Sequence, residues 1–464
     1  MIGQGILPFK LIEEKSGEVL TSFGGLPLVM ETFRALGMPR SIEKHLPVLQ
    51  RKGRFTSAEY VEAFVAVLAS GGDCLEDFEQ LRRDEGIRKL GLKVPSAEAA
   101  RYFLNAFHEE EALAERPDEG AFIPDETQLL EGLNDVNKDL VRKAVKGKKV
   151  VKATIDLDAT IIEANKREAF WTYQGVKGYQ PVTSYWAEED LIVAEEFRDG
   201  NVPAGMQLIR VVKKSVESLP SSVKVVYVRS DSAGYCHELL NWCREHNNPR
   251  ILFAISADMT EELRNKIKEL PAEAWKPLRK LTENGLEEGR KEWAEVEFVP
   301  TKPSVKKHMM PDRYLAIRVR PYQAELFPDG DMYRYYAIVT NIWDWEGDEV
   351  IRWQRGRCGS IEKVHDVLKN DLGAGVMPCK RFFANATWYR INCLTYNVLS
   401  VMKRKALPES WWMVRLKALR FHLFRIAGRV IEHGRQIYLR LCQGHPSGKL
   451  YLMARKRLLI FSSA

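Results

Sequence analysis

The sequence predicts an α/β protein: a mixed sheet with acidic residues at its strand ends, helices before it, a β-rich stretch set late within it, and a basic C-terminal region. Three observations lead there. Val150-Val-Lys-Ala-Thr-Ile-Asp156-Leu-Asp158-Ala-Thr160-Ile-Ile reads as a buried strand of β-branched residues, yet alternation puts two carboxylates on one of its faces. A second buried run, Val223 to Asp231, also ends on an aspartate. Between and around these runs the apolar spacing changes from period two to helical and back. A buried carboxylate without a partner costs roughly several kcal/mol, so Asp156 and Asp158 call for a metal ion, a phosphate-transfer site or a cationic partner.

At 464 residues the chain is larger than one hydrophobic core usually supports, and two to four domains are expected. No apolar run approaches the ~20 residues that cross a bilayer, and Met1 to Lys15 lacks the order of a signal peptide. A cytoplasmic protein with no membrane partner is expected. The seven cysteines are scattered with no C-x-x-C pair, so neither a zinc module nor a disulfide framework is indicated. Net charge is +7, but from Val401 onward 14 Lys and Arg face only Glu409 and Glu432, a local +12. That end is a candidate for polyanion binding, or a solvated face balanced by acidic helices elsewhere.

Residues 1–145 read as a mainly helical, DNA-binding region and linker. Helices are expected at Pro27 to Leu36, at Thr56 to Leu68 with Ser57 as N-cap, at Glu76 to Arg83, and after Ser96 as far as Phe107. Basic connections, among them Gln50 to Arg54, suit a helix-turn-helix reader as well as any small helical domain. A helix near Glu126 to Val145 precedes the central strand. Residues 146–260 then give a three-strand meander (Val150 onward, Tyr179 to Ala187, Leu191 to Phe197), a helix from Pro203 to Ser218, the Val223 strand, a helix from Tyr235 to His246, and a strand from Arg250 to Ser256. This is the element order of an RNase H-like core, in which the first and fourth strands are neighbours and their acids meet.

Residues 261–346 read as a β-rich insertion whose polar face carries Arg313, Arg318, Arg320 and Arg334 among aromatics, a mixture that suits contact with a nucleic-acid backbone and bases, or an ordinary half-exposed sheet. Residues 347–402 return to helix. Glu362 and Lys369 share a face there, with Ser360 as the expected N-cap and Asp366 as a rival ligand. Residues 403–464 form the basic C-terminal region, with a hairpin turning at His433-Gly434 and a last helix bearing Arg455-Lys456-Arg457.

Asp156-Leu-Asp158-Ala-Thr160, Gly178-Tyr-Gln-Pro181, Arg229-Ser-Asp231-Ser-Ala-Gly-Tyr235 and Glu362-x6-Lys369-Asn-Asp-Leu372 together resemble the bacterial insertion-sequence transposases of the DDE superfamily, in their cut-and-paste branch. The resemblance covers most of the chain. It implies Asp158, Asp231 and Glu362 as a metal-binding triad, with Asp156 as the competing first acid, and Lys369 on phosphate near the cut. It implies Mg²⁺, with Mn²⁺ as substitute and two ions in all, double-stranded DNA as partner through terminal inverted repeats and target, a homodimer on two ends, and a hairpin intermediate. Arg355, Arg357, Arg318, Arg320, Trp343, Trp345, Trp353, Arg455, Lys456 and Arg457 are the candidate DNA contacts, Trp343 or Trp345 stacking a base near the cut. The family signature Tyr-x2-Arg-x3-Glu-x6-Lys would need Tyr and Arg where Arg355 and Cys358 stand, with Trp353 and Arg357 close by.

Two rival readings follow from the same residues. Ile155-Asp-Leu-Asp-Ala-Thr-Ile161 also fits the strand of a haloacid-dehalogenase-like phosphatase, with Asp156 as nucleophile and Asp158 as acid. A DNA-binding regulator with an inactive nuclease core would need the basic tail and no metal.

Overall fold

The computed structural model describes residues 17–46, 55–282, 285–300, 312–320 and 332–463; the basic stretch Gln50 to Arg54 lies outside them. The first part of the chain is helical as expected: α1 (Pro27–Ala35), α2 (Met38–His45), α3 (Ser57–Ser70), α4 (Ala97–Asn105) and α5 (Gln128–Ala144). The cap of α3 is Thr56 and not Ser57. Thr56 Oγ1 accepts from the Glu59 amide at 3.2 Å while the Glu59 carboxylate accepts from the Thr56 amide at 2.9 Å, a reciprocal arrangement that satisfies two free donors and leaves Ser57 as the first helical residue. Ser96 and Thr127 cap α4 and α5 in the simpler way.

The sheet forms from β1 (Lys152–Ala159), β2 (Val182–Trp186), β3 (Leu191–Glu196), β4 (Val225–Ser230), β5 (Arg250–Ala257), β6 (Lys276–Thr282), β7 (Gly285–Glu297), β8 (Arg313–Val319) and β9 (Arg334–Thr340). Its order is β6-β7-β8-β9-β5-β4-β1-β2-β3. β1, β2 and β3 are the antiparallel meander, and β4 and β5 run parallel to β1. The helices α6 (Leu208–Ser218) and α7 (His237–Glu245) make the two connections that parallel pairing requires. β9 pairs antiparallel with β5, from Ala337 opposite Ala257 to Thr340 opposite Ala254, so the late β-rich stretch continues the central sheet and closes an edge that β5 would otherwise expose.

After β9 come α8 (Gly347–Arg355), α9 (Ile361–Asp366) and the 25-residue α10 (Phe382–Ala406). The helix bearing Glu362 starts after Ser360, as expected, and is set off from α8 by a break. Gly359, at φ +81°, supplies the left-handed turn that a side chain would resist. α10 packs against β3 and also against α1, α3, α4 and α5, and 22 of its residues are buried, so both the sheet and the N-terminal helices rest on it. Its polar side chains are consequently paired: Asn397 accepts from the Ile192 amide and donates to the Ile192 carbonyl, both at 2.7 Å, and Trp388 Nε1 donates to the Gly373 carbonyl at 2.8 Å.

The C-terminal hairpin β10 (Gly428–His433) and β11 (Gln436–Leu441) turns at Gly434-Arg435, both at positive φ, and pairs with the short strand Val19–Thr21. The last helix, α11 (Gly448–Ser463), lies on α1 and α10. No helix among the described residues is long and apolar enough to cross a membrane.

Arg390 of α10 is 3% exposed and reaches Glu195 on β3, Glu126 ahead of α5 at 2.8 Å, and the Leu130 carbonyl at 2.5 Å. Removing it would strand two buried carboxylates. Arg390→Ala should lower stability by about 3–5 kcal/mol, read as a shift in the urea midpoint.

Candidate active site

Two adjacent parallel strands carry the same spacing, Asp156-x-Asp158 on β1 and Arg229-x-Asp231 running off the end of β4, with Asp156 opposite Arg229. Residues in register share a face, so the inner positions meet each other, and the outer positions follow one step beyond the last registered pair.

The inner pair is an ion pair. Asp156 is fully buried, and Arg229 grips it bidentately, Nε to Oδ1 at 2.6 Å and Nη2 to Oδ2 at 2.8 Å. Ser360 adds a hydrogen bond to Oδ2 at 2.5 Å. Asp156 is thus committed to Arg229 and Ser360, an arrangement that favours Asp158 over Asp156 as the acid facing the cluster and does not suit a free nucleophile. Ser360 likewise stands at the N-cap position of α9 without capping it: its backbone lies at φ −96°, ψ −71° and not in the extended region that capping residues adopt, and its hydroxyl is turned to Asp156.

The outer pair is a pair of acids. Asp158 and Asp231 are both half-buried, and Asp231 Oδ1 accepts from the Ala233 amide at 3.1 Å, which fixes its carboxylate at the strand end. Glu362, exposed in the first turn of α9, is tethered by the Gly359 amide at 3.2 Å, and α9 packs against β1. Burial raises the Asp158 carboxyl to about 6, Arg357 opposes the shift, and the nearby Asp231 and Glu362 push the same way as burial. Two acids from other segments thus act on Asp158. The rival Asp366 is drawn elsewhere, to Arg415 at 2.7 Å and Asn370 at 2.6 Å.

Two basic side chains line the other side of Asp158. Arg357, 8% exposed, brings Nη1 to 3.5 Å from Oδ2, and His365, 7% exposed, brings Nδ1 to 3.9 Å. Burial, with help from Lys369 and Arg357, lowers the imidazole to about 4, so His365 is neutral at ordinary pH. Lys369 donates to Thr160 Oγ1 and to the Ile161 carbonyl, both at 3.2 Å, just beyond the end of β1. The donor set of Asp158, Asp231 and Glu362 consists of hard carboxylate oxygens whose mutual repulsion a divalent cation would relieve, so the residues present fit such an ion. Among the described residues, the acidic group whose ligand atoms all lie within 4.8 Å of one another is a different one, Asp73, Cys74 and Asp77, where Asp77 accepts from the amides of Asp73 and Cys74.

The other sequence candidates fall in different places. Arg355 and Arg357 flank the break after α8, Arg355 half-buried. Trp343 is 61% exposed. Trp345 stacks on Tyr227 at 5.6 Å and meets Trp353 edge-on, while Trp353 lies under the Arg229 guanidinium, so both take part in packing and both stay half-exposed. Arg318 pairs with Glu292 at 2.7 Å and lies between Trp275 and Tyr333, and Arg320, exposed, donates to the Tyr333 hydroxyl at 3.3 Å. Arg455 is bound to Glu31 at 2.8 Å; Lys456 and Arg457 are exposed. Sequence reasoning missed Arg229, Ser360 and His365. The matched i, i+2 spacing on the two strands was a usable signal for Arg229, whereas nothing local marks Ser360 or His365.

Clustered acids facing cationic side chains at the ends of adjacent strands define an enzyme of phosphoryl transfer on an α/β scaffold. The chain belongs to the family described as transposase DDE domain group 1, which matches residues 10–462, and it is a DNA transposase. Among solved structures, a piggyBac transposase synaptic complex with hairpin DNA is similar at 11% identity and a TM-score of 0.46, over 88% of this chain and 82% of that one. No curated protein matches the sequence.

A raised carboxyl pKa means that the fold favours the protonated acid, so its stability is greatest below the ordinary value of 3.8 and is lost as pH rises through about 6. Without divalent cations, Asp158→Asn should therefore be more stable than wild type by about 1–3 kcal/mol at pH 7.5, with the difference shrinking toward pH 4 in paired denaturant titrations.

Proposed function

We propose that this transposase cuts DNA at the terminal inverted repeats of a mobile element and joins the freed ends to target DNA, using Asp158, Asp231 and Glu362 to hold two Mg²⁺ ions, with Mn²⁺ as substitute. The observation that carries this is the parallel pairing of β1 with β4, which puts Asp158 and Asp231 at neighbouring strand ends, together with the packing of α9, which bears Glu362, against β1. The strand order β3-β2-β1-β4-β5 supports an RNase H-like core over residues 146–260 and 347–402, with 261–346 as the insertion that widens its sheet, 1–145 and 403–464 as DNA-facing flanks, and a homodimer gripping two ends. It acts in the cytoplasm, with access to DNA.

Bound divalent ions supply an activated nucleophile and stabilise the leaving oxygen. The chain's own residues do the rest. Asp231 is held ready by the Ala233 amide and Glu362 by the Gly359 amide, so neither has to be ordered at the moment of reaction. Lys369, anchored beside Asp158 through Thr160 and Ile161, offers a charge to a phosphate lying across the strand ends. The freed 3′-OH then attacks the opposite strand to give a hairpin, and later the target. Trp343 is the exposed aromatic of the two first considered for stacking a base near the cut.

Cleavage of a labelled duplex carrying the flanking repeats tests the reading. Cutting should require Mg²⁺ or Mn²⁺, stop with EDTA, and fall by about a thousandfold or more in Asp231→Ala while binding persists. Binding without metal-dependent cutting by wild type would point to the regulator instead. Trp343→Ala should lower the hairpin yield and leave first-strand nicking intact, and an unchanged yield would remove Trp343 from the mechanism.

A further inference from the structure

Arg357 is more than nine-tenths buried, yet two of its N–H groups, Nε and Nη1, have no hydrogen-bond acceptor. Buried guanidinium donors are seldom left so. Its nearest carboxylate is Asp158, whose Oδ2 lies 3.5 Å from Nη1, close enough for attraction and too far for a good hydrogen bond. The neighbouring basic side chains do not take its place. His365 faces the same carboxylate with Nδ1 at 3.9 Å and leaves Nε2 unpartnered, and Lys369 is turned to Thr160 and Ile161. The other carboxylate on β1, Asp156, is fully used by Arg229 and Ser360. Arg357 is therefore a forked donor aimed at the acid cluster, holding Asp158 loosely and short of acceptors.

We propose that Arg357 exchanges partners during the reaction: it balances Asp158 in the DNA-free protein, and when a divalent cation takes over that carboxylate it turns its Nε and Nη1 donors to the non-bridging oxygens of the phosphodiester being cut. The inference rests on Asp158 being a cation ligand. A planar fork suits two oxygens of one phosphate, and this geometry is what distinguishes Arg from Lys at such a position. The chemistry is a change of electrostatic partner, with no bond made or broken by Arg357 itself.

The test compares full-length wild type, Arg357→Gln and Arg357→Lys by two readouts: Mn²⁺ binding without DNA, followed through the paramagnetic resonance signal of the free ion, and single-turnover cutting of a duplex ending in the terminal repeat. Arg357→Gln should bind Mn²⁺ several-fold more tightly, because the competing cation is gone, yet cut about a hundredfold more slowly. Arg357→Lys should keep near wild-type Mn²⁺ affinity but regain no more than about a tenth of the lost rate, having charge without a fork. Wild-type cutting by Arg357→Gln would overturn the phosphate contact, and unchanged or weaker Mn²⁺ binding would overturn the exchange. A wild type that binds Mn²⁺ and cuts no DNA would overturn the proposed function and the phosphate contact together, whereas loss of cutting confined to the variants leaves the function standing.

Discussion

The Asp156–Arg229 ion pair is the contact on which the site depends. It joins β1 to β4 at the last register position before both strands reach their acids. Arg229 also donates through Nη1 to the Trp353 carbonyl at 2.6 Å, and Asp156 accepts from Ser360, so the same pair fastens the end of α8 and the start of α9 to the sheet. Gln354 adds a hydrogen bond to the Ser230 carbonyl at 3.2 Å. Asp158, Asp231 and Glu362 each stand two residues beyond a member of this network, Asp156, Arg229 and Ser360. Fixing the inner layer fixes the outer one.

A buried ion pair is not by itself a large source of stability, because desolvating both charges offsets most of their attraction. Its value here is specificity of register. A one-residue slip between β1 and β4 would leave Asp156 without Arg229 and would separate Asp158 from Asp231. The same logic holds at α10, which is buried nearly all round and whose inward polar groups include Asn397, bonded to Ile192 and Asn137, Tyr389, bonded to Thr183, and Asn392, bonded to the Gly373 amide. The N-terminal helices and the sheet are therefore packed on one element, and residues from both contribute to a single hydrophobic core.

The basic C-terminal region shows how charge counts mislead at the level of single residues. Part of its excess is used internally: Arg429 pairs with Glu18, Arg455 with Glu31, Arg415 with Asp371, and Arg420 donates to the backbone carbonyls of Leu68, Ala69 and Asp371. Lys456 and Arg457 stay exposed. The arginines of β8 follow the same rule, since Arg313 and Arg318 face Glu295 and Glu292 across the β7–β8 pairing, an arrangement that cross-strand neighbours favour.

By itself the sequence determined most of the elements and singled out the candidate acids. Alternation, helical spacing and caps are local, and they gave the meander, the parallel strands, α10, the hairpin, and the shared face of Asp156 and Asp158. Only the tertiary structure decided which of those two acids faces the cluster, because that turns on a cation from another strand and a hydroxyl some two hundred residues away. It also decided that the late strands extend the sheet and that Trp345 and Trp353 pack together. It set Arg357 and His365 beside Asp158. Period and propensity report how a segment folds on its neighbours in the chain; which charge meets which, and which donor is left without one, is settled by packing between segments that the sequence keeps far apart.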